Sequence, residues 1–291
     1  TVIYGLEELK VHSKLLLITL RDGNNVRYIT QVGTGNYNER TSKLYTDLTL
    51  MTSDEDLGAD ASVVFNALIV GSTVESTNRL LVAPKGLKSR IVSFIDNEIT
   101  YGRDGYIGIK INSLTDRDLI EKLAEASRAG VTVELIVRGI CCLIPRVEGE
   151  TENIRVISIV GRFLEHSRIY IFGRGDRRRV YISSADFMTR NTERRVEVAA
   201  PILDTSLANR VCGIFSTMLA DNVKARELGA DGKYTHVPSA GKLPLNSQLY
   251  FYDEAYKAAE ASTGIIGRAD TQKMDEKRQD KPIKVKIRRI R

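Results

Sequence analysis

Two short motifs of the sequence place a basic residue two positions after a histidine. His12 is followed by Lys14, and His166 is followed by Arg168. On a strand, residues i and i+2 project from the same face, so each motif would set an imidazole beside a fixed cation. Such a cation holds phosphate oxygens while a ring nitrogen attacks phosphorus or protonates the leaving oxygen. Together the motifs predict phosphoryl transfer, although a histidine on a strand can also be a hydrogen-bonded core residue.

Three further candidates lie in loops or at strand ends. The segment 33–38 (GTGNYN), which contains Asn36, could offer N–H groups to phosphate oxygens, or could be an ordinary glycine loop. Tyr45 could stack on a base or pack in the core. Arg138 follows a predicted strand, where α/β sheets place ligand-binding groups.

Other conspicuous residues are given structural interpretations. The run Arg177 to Arg179 is interpreted as a solvated turn, the pair Cys141 and Cys142 as core, and His236 as a surface residue. No cysteine–histidine spacing resembles a zinc site.

A weak internal repeat relates the two motifs. His12 and His166 lie 154 positions apart in the chain. Beyond the hairpin that follows each histidine, equivalent residues of the two copies lie 150 positions apart. Asp47 then aligns with Glu197, and Asn36 with Asp186. The order strand, turn, strand, loop, strand, helix is kept in both copies. Because the strand before Arg138 has no counterpart in the first copy, we expect that copy to be truncated at its N-terminus.

The elements that must position these residues follow from hydrophobic periodicity and cap signals. Helix 115–128 is expected to begin at an N-cap, Thr115, and to end before Gly130. Strands alternating with helices predict an α/β architecture. The predicted helices are 57–68, 86–101, 115–128 and 205–220, and the predicted strands between the two copies are 106–111 and 131–137.

Composition excludes several classes of protein. The net charge of +6 equals the six basic residues of the acid-free segment 281–291, so the body is formally neutral and no nucleic acid is expected as a partner. Apolar runs are too short for a transmembrane helix, and no signal peptide opens the chain. Three cysteines, two of them adjacent, are no disulfide framework and predict a reducing, cytoplasmic setting.

Five segments resemble the C-terminal half of bacterial polyphosphate kinases, a branch of the phospholipase D-like superfamily. They are VHSKLLLI, GTGNYNERTSKLYTDLTLMT, ELIVRGICCLIP, NIRVISIVGRFLEHSRIYIF and YISSADFMTRN. The resemblance extends from residue 1 to about residue 260. It implies two phospholipase D-like domains that form a pseudo-repeat, namely the C-terminal part of the first over 1–78 and the second over 79–263. A basic, mobile tail would occupy 264–291.

The resemblance also implies roles for individual residues. His12 falls on the histidine that is phosphorylated, Tyr45 on a nucleotide contact, and Arg138 and His166 on ATP-site residues. We add His166 as general acid or base, and Lys14, Asn36 and Arg168 as phosphate-binding groups.

The implied activity is reversible transfer of the ATP γ-phosphate to inorganic polyphosphate through a phosphohistidine. The implied partners are ATP or ADP, polyphosphate, Mg²⁺ and further copies of the chain. Metal ligands are expected upstream of Thr1 and none within this chain.

Two alternatives remain open at this point. One is a phosphodiesterase or phosphatidyltransferase of the same superfamily, and the other is an inert polyanion-binding fragment. The aspartate that follows the histidine motif in phospholipases is absent from both copies, which favours the kinase.

Overall fold

The computed structural model describes residues 2–3, 5–239 and 241–265, with side chains to residue 261. Except for its first two residues, the predicted basic tail lies outside this range. Within it, the strands are, in chain order, β1 Lys10–Val11, β2 Lys14–Asp22, β3 Asn25–Gly33, β4 Tyr45–Thr46, β5 Thr49–Thr52, β6 Leu81–Val82, β7 Tyr106–Ile111, β8 Thr132–Val137, β9 Ile154–Ile159, β10 Leu164–Glu165, β11 Arg168–Phe172, β12 Arg179–Ser183, β13 Arg195–Val196, β14 Val198–Pro201, β15 Ala225–Leu228 and β16 Tyr234–His236.

Four of the seven α-helices in the described residues agree closely with the predicted segments, and the other three were not predicted. The seven helices are α1 Glu39–Ser42, α2 Glu55–Ile69, α3 Leu87–Thr100, α4 Arg117–Arg128, α5 Thr189–Glu193, α6 Thr205–Leu219 and α7 Ser247–Ile265. Helix α7 escaped prediction because its exposed aromatic and polar residues show little helical periodicity.

The N-cap predicted at Thr115 is wrong by one residue. Asp116 caps α4, and its side chain accepts the N–H of Leu119. The backbone N–H of Thr115 donates instead to the carbonyl of Phe187, 2.8 Å away. The predicted C-terminal signal is confirmed, because Gly130 has a φ of 90°, a conformation that glycine adopts without strain.

A mixed nine-stranded sheet forms the larger part of the fold. Its order is β16-β15-β9-β8-β7-β11-β12-β14-β6, and β7, β8 and β9 are mutually parallel. Helix α4 connects β7 to β8 and buries Leu119, Leu123 and Ala126 against the sheet. The predicted α/β architecture is therefore confirmed.

The repeat is visible in three dimensions. The sheet β2-β3-β5 repeats the order β11-β12-β14, and each set of three is followed by a helix, α2 or α6. Asp54 and Asp204 cap these helices through the N–H groups of Leu57 and Leu207. A shared hydrophobic cluster joins the halves, since Val32 and Leu57 of the first pack with Val198 of the second.

Candidate active site

Each motif histidine lies in a two-residue break between strands, so the expectation that both lie on strands is wrong. His12 and Ser13 separate β1 from β2, and both of their N–H groups donate to the carbonyl of Val196, each at 3.0 Å. The break arises because β1 pairs with β13 whereas β2 pairs with β3. The chain changes partner at the histidine.

The second motif repeats this arrangement. His166 and Ser167 separate β10 from β11, and their N–H groups donate to the carbonyl of Thr46, at 3.2 and 2.9 Å. Strand β10 pairs with β4 in parallel, as β1 pairs with β13. The backbone of each histidine is therefore hydrogen-bonded to the strand that immediately precedes the acidic residue of the other copy.

The two histidines exchange carboxylate partners between the copies. Nδ1 of His12 lies 2.9 Å from Oε2 of Glu197, and Nδ1 of His166 lies 2.8 Å from Oδ1 of Asp47. The two acids are repeat equivalents, yet each belongs to the copy opposite its histidine. The site is consequently shared by both halves of the chain.

Equivalent hydroxyl groups orient the two acids. Thr34 Oγ1 donates to Asp47 Oδ1 at 2.7 Å, and Ser184 Oγ donates to Glu197. Asn191 gives Glu197 a further hydrogen bond of 2.6 Å. These hydrogen bonds hold each carboxylate in a fixed orientation towards its imidazole.

Arg168 connects the second histidine to an ion pair that is buried on both sides. Its Nη1 lies 3.1 Å from Nε2 of His166 and donates to the carbonyl of Thr34 at 3.2 Å. Its Nε and Nη2 make a bidentate pair with Asp186, at 3.2 and 3.1 Å. Burial alone would raise the pKa of Asp186, but Arg168 and Asn112 lower it below its usual value.

Lys14 and Arg138 supply two further cations. Burial lowers the pKa of Lys14 to about 8, despite the opposing charge of Glu197, and the Nζ atom donates to the carbonyl of His12. Arg138 Nε donates to Asn112 Oδ1 at 2.6 Å. Because Asn112 also donates to Asp186, Arg138 and Arg168 belong to one hydrogen-bond network.

The two imidazoles differ in the nitrogen that points away from the acid. Nε2 of His12 has no hydrogen-bond partner among the described residues, whereas Nε2 of His166 faces the Arg168 guanidinium. Burial lowers the pKa of His166, although Asp47 opposes the shift. The Tyr45 ring lies 5.0 Å from the His166 ring. His12 thus carries the more available lone pair.

Most of the predicted site residues come together, and one does not. Asn36 is exposed in the loop after β3, while its repeat equivalent Asp186 binds Arg168. Sequence reasoning assigned no role to Asp47, Glu197 or Asp186. The repeat had already aligned Asp47 with Glu197, and an acidic residue at the same position of both copies is the signal that could have identified this pair.

Two of the structural interpretations are tested by burial. His236 is exposed, as predicted. The core interpretation of the cysteine pair is wrong for Cys142, which is exposed, whereas Cys141 is half-buried and packs against the main hydrophobic core. Both residues follow Arg138 in the segment after β8, where Cys141 forms an isolated β-bridge with Leu114.

The described residues provide no group of three or more His, Cys, Asp or Glu side chains that could hold a metal ion. The carboxylates at the site are engaged by imidazole, guanidinium or hydroxyl groups instead. Nor does any helix in the described part of the chain have the length and apolar character needed to cross a membrane.

Two family models match the chain in succession. Polyphosphate kinase C-terminal domain 1 matches residues 1–77, and polyphosphate kinase C-terminal domain 2 matches residues 80–248. The chain is 48% identical over 263 residues to the polyphosphate kinase of Bacillus anthracis, covering 89% of this chain and 38% of that relative. Identity to the Helicobacter pylori (strain J99) polyphosphate kinase is 43% over 257 residues, covering 88% and 38%. The chain therefore spans about two fifths of the length of these relatives.

A solved structure agrees with these matches. The crystal structure of polyphosphate kinase from Porphyromonas gingivalis superposes with a TM-score of 0.81 at 37% identity, covering 88% of this chain and 40% of that one. The shared site described above lies within the matched residues. The resemblance drawn from the sequence motifs is thus confirmed, and the chain belongs to the polyphosphate kinase family.

Proposed function

We propose that this chain forms the phosphoryl-transfer site of a polyphosphate kinase, which moves the terminal phosphate of ATP reversibly to inorganic polyphosphate through a phosphohistidine. One observation carries the proposal. Each of the two histidines is oriented by a carboxylate of the opposite copy. Arg138 and Arg168 belong to the hydrogen-bond network of His166, and Lys14, which donates to the carbonyl of His12, interacts electrostatically with Arg168 and Asp47. The names of the relatives support the substrate assignment.

The orientation of His12 supports a role as nucleophile. In the neutral ring, Nδ1–H donates to Glu197, which leaves the lone pair on Nε2. Nε2 would attack the γ-phosphorus of ATP as the bond from that phosphorus to the bridging oxygen breaks, and ADP would leave. A terminal oxygen of polyphosphate would then attack the same phosphorus, and the N–P bond would return its electron pair to Nε2.

The cations would neutralise the charge that moves during transfer. Arg138 offers a half-buried planar guanidinium group that could bind phosphate oxygens in pairs, and Lys14 offers a single point charge. Arg168, whose Nε and Nη2 atoms are paired with Asp186, would contribute positive charge to the site. Much of the catalysis in phosphoryl transfer comes from such positioning and charge stabilisation. Tyr45, next to His166, would contact the nucleotide.

His166 would serve as general acid and base. An arriving phosphate chain raises the pKa of a neighbouring imidazole, so that His166 can take up a proton at Nε2. Because burial lowers its pKa in the free protein, the imidazolium would return that proton readily to the leaving ADP oxygen. The contact with Arg168 makes His166 a poorer nucleophile than His12.

Magnesium belongs to the proposal as the counter-ion of the ATP phosphates. The described residues show no cluster that would hold it, so none of the steps above uses a protein-bound metal. A cytoplasmic location, where ATP is available, and assembly into homo-oligomers are also proposed.

The test measures transfer in both directions, from ATP to polyphosphate and from polyphosphate to ADP. We expect both reactions in the wild type and neither in His12→Ala, with His236→Ala as the matched control on an exposed histidine. ATP-independent hydrolysis of a phosphodiester would instead indicate a phosphodiesterase. Binding of polyphosphate without any transfer would indicate an inert polyanion-binding protein.

A further inference from the structure

A second cationic pocket lies at the other end of the strands that lead into the catalytic site. It has a volume of about 310 Å³, and its cationic groups, which we call the arginine pocket, are Arg79, Arg90, Arg178 and Arg179. Strand β12 begins at Arg179 and ends next to Ser184, which bonds Glu197. From Arg179 to Ser184 the strand rise amounts to roughly 16 Å, so the pocket is separate from the histidines.

The charge of the arginine pocket is poorly compensated. Arg90 and Arg179 form no ion pair with any residue that the structure describes, and both are exposed. Arg79 pairs with Asp56 at 3.0 Å, and Arg178 donates to the neutral amide of Asn209. Four guanidinium groups therefore share one carboxylate, which leaves a strong local preference for an anion.

Tyr181 lines this pocket, and the Phe94 ring beside it orders two of the four guanidinium groups. Arg90 and Arg179 lie 5.5 and 5.1 Å from the centre of the Phe94 ring. Tyr181 is only 7% exposed and packs against Phe94 with ring centres 5.5 Å apart. The arginines are thus partly ordered before a ligand arrives, which lowers the entropic cost of binding.

The same rings indicate which anion fits. Nucleic-acid sites on single strands stack bases on open aromatic faces. Here Phe94 is almost fully buried beneath two guanidinium groups and Tyr181 is buried, so no aromatic face is open to a base. Guanidinium groups pair with phosphate oxygens in a bidentate manner. A phosphate polymer without bases matches these features.

We propose that the arginine pocket is a second binding site for inorganic polyphosphate, which anchors the chain at a distance from the catalytic histidines. The ligand is the polymer named in the proposed function, so the inference rests on that function. A long polyphosphate would occupy both sites at once and gain affinity from its linkage, whereas a short one would occupy only one. Chain length therefore discriminates between one site and two.

The experiment compares polyphosphate binding by the wild type and by Arg90→Gln/Arg179→Gln. The matched control is Arg21→Gln/Arg226→Gln, which removes two exposed arginines from elsewhere and gives the same change in net charge. We expect the pocket variant to bind polyphosphate of roughly 100 units about tenfold more weakly, with tripolyphosphate affinity changed by less than about twofold. The slope of log Kd against log salt should fall by about 2. The control should change neither affinity nor slope appreciably.

Each other outcome has a definite meaning. The inference would be overturned if the pocket variant bound long chains as tightly as the wild type does. It would also be overturned if the variant lost affinity equally for short and long chains. If a single-stranded DNA oligonucleotide bound as tightly as polyphosphate and lost affinity equally, the pocket would be a nucleic-acid site instead. Failure of the proposed function would look different, because the wild type would transfer no phosphate while still showing the chain-length effect.

Discussion

Nδ1 of His12 lies 2.9 Å from Oε2 of Glu197, although 185 positions separate the two residues in the chain. The contact has a counterpart between His166 and Asp47, with the copies exchanged. Neither copy of the repeat pairs its histidine with its own acid. Any change that separates the copies would therefore disorient both imidazoles at once.

We predict that Glu197→Gln slows phosphorylation of His12. The amide can present N–H to Nδ1, which would favour the ring tautomer with its proton on Nε2 and remove the attacking lone pair. The loss of rate should be roughly 10²- to 10⁴-fold, as for other imidazoles that lose their orienting carboxylate. Rapid-quench labelling with γ-labelled ATP measures the rate, and the ¹⁵N shift of Nε2 reports the tautomer.

Asp47→Asn is the matched control for this experiment, because it makes the same change at the repeat-equivalent acid. Its effect on the tautomer should appear at His166 and not at His12. Labelling of Glu197→Gln at the wild-type rate, with an unchanged Nε2 shift, would show that Glu197 has no orienting role.

A second prediction separates the roles of the two histidines. After a brief pulse of γ-labelled ATP, phosphopeptide mapping should find acid-labile, alkali-stable label on His12 only, because Nε2 of His166 is engaged by Arg168. His12→Ala should abolish the label. His166→Ala should slow turnover by roughly 10²- to 10⁴-fold, the usual contribution of a general acid or base. Label on His166 in the wild type would refute the division of roles.

The pKa of His166 provides a third prediction. An NMR titration should place it below the ordinary value of 6.5, because burial disfavours the imidazolium. Asp47→Asn should lower the pKa further, since the aspartate opposes the shift, and Arg168→Met should raise it. A wild-type value above 6.5, or the reverse response of the variants, would contradict this electrostatic account.

The same shift makes the stability of the protein dependent on pH, with a definite sign. Below pH 6.5 the unfolded chain binds a proton at residue 166 more readily than the folded chain does. The free energy of unfolding should therefore fall as the pH decreases from 6.5 towards the lowered pKa of His166. In His166→Gln this part of the pH dependence should disappear from urea-unfolding curves.

A fourth prediction concerns Lys14, whose pKa burial lowers to about 8. At pH 8.5 a substantial part of Lys14 is neutral in the free protein, and a bound phosphate chain should raise its pKa and restore the charge. Binding of polyphosphate should then take up protons, so the calorimetric heat should vary with the ionisation enthalpy of the buffer. Lys14→Arg stays charged and should lose this part of the uptake. Identical proton uptake in the variant would assign it to another group.

Local sequence signals predicted much of the framework. Helices α2, α3, α4 and α6 were predicted from hydrophobic periodicity within each segment, which a pattern of a few residues is sufficient to show. Strands β7 and β8 are rich in β-branched and apolar residues, and their bounds were predicted to within one residue. The repeat was also evident, because the order of its elements survives where identities do not.

The features that remained hidden depend on contacts between distant parts of the chain. The partners Asp47 and Glu197 could be aligned by sequence, yet their exchange between copies follows only from the pairing of β1 with β13 and of β10 with β4. The break at each histidine has the same origin, since a change of strand partner leaves no mark in the local hydrophobic pattern. The sequence alone determined which residue types could carry phosphate chemistry and which local elements would hold them. The tertiary structure alone decided which acid orients which histidine, because that choice depends on how two distant halves pair.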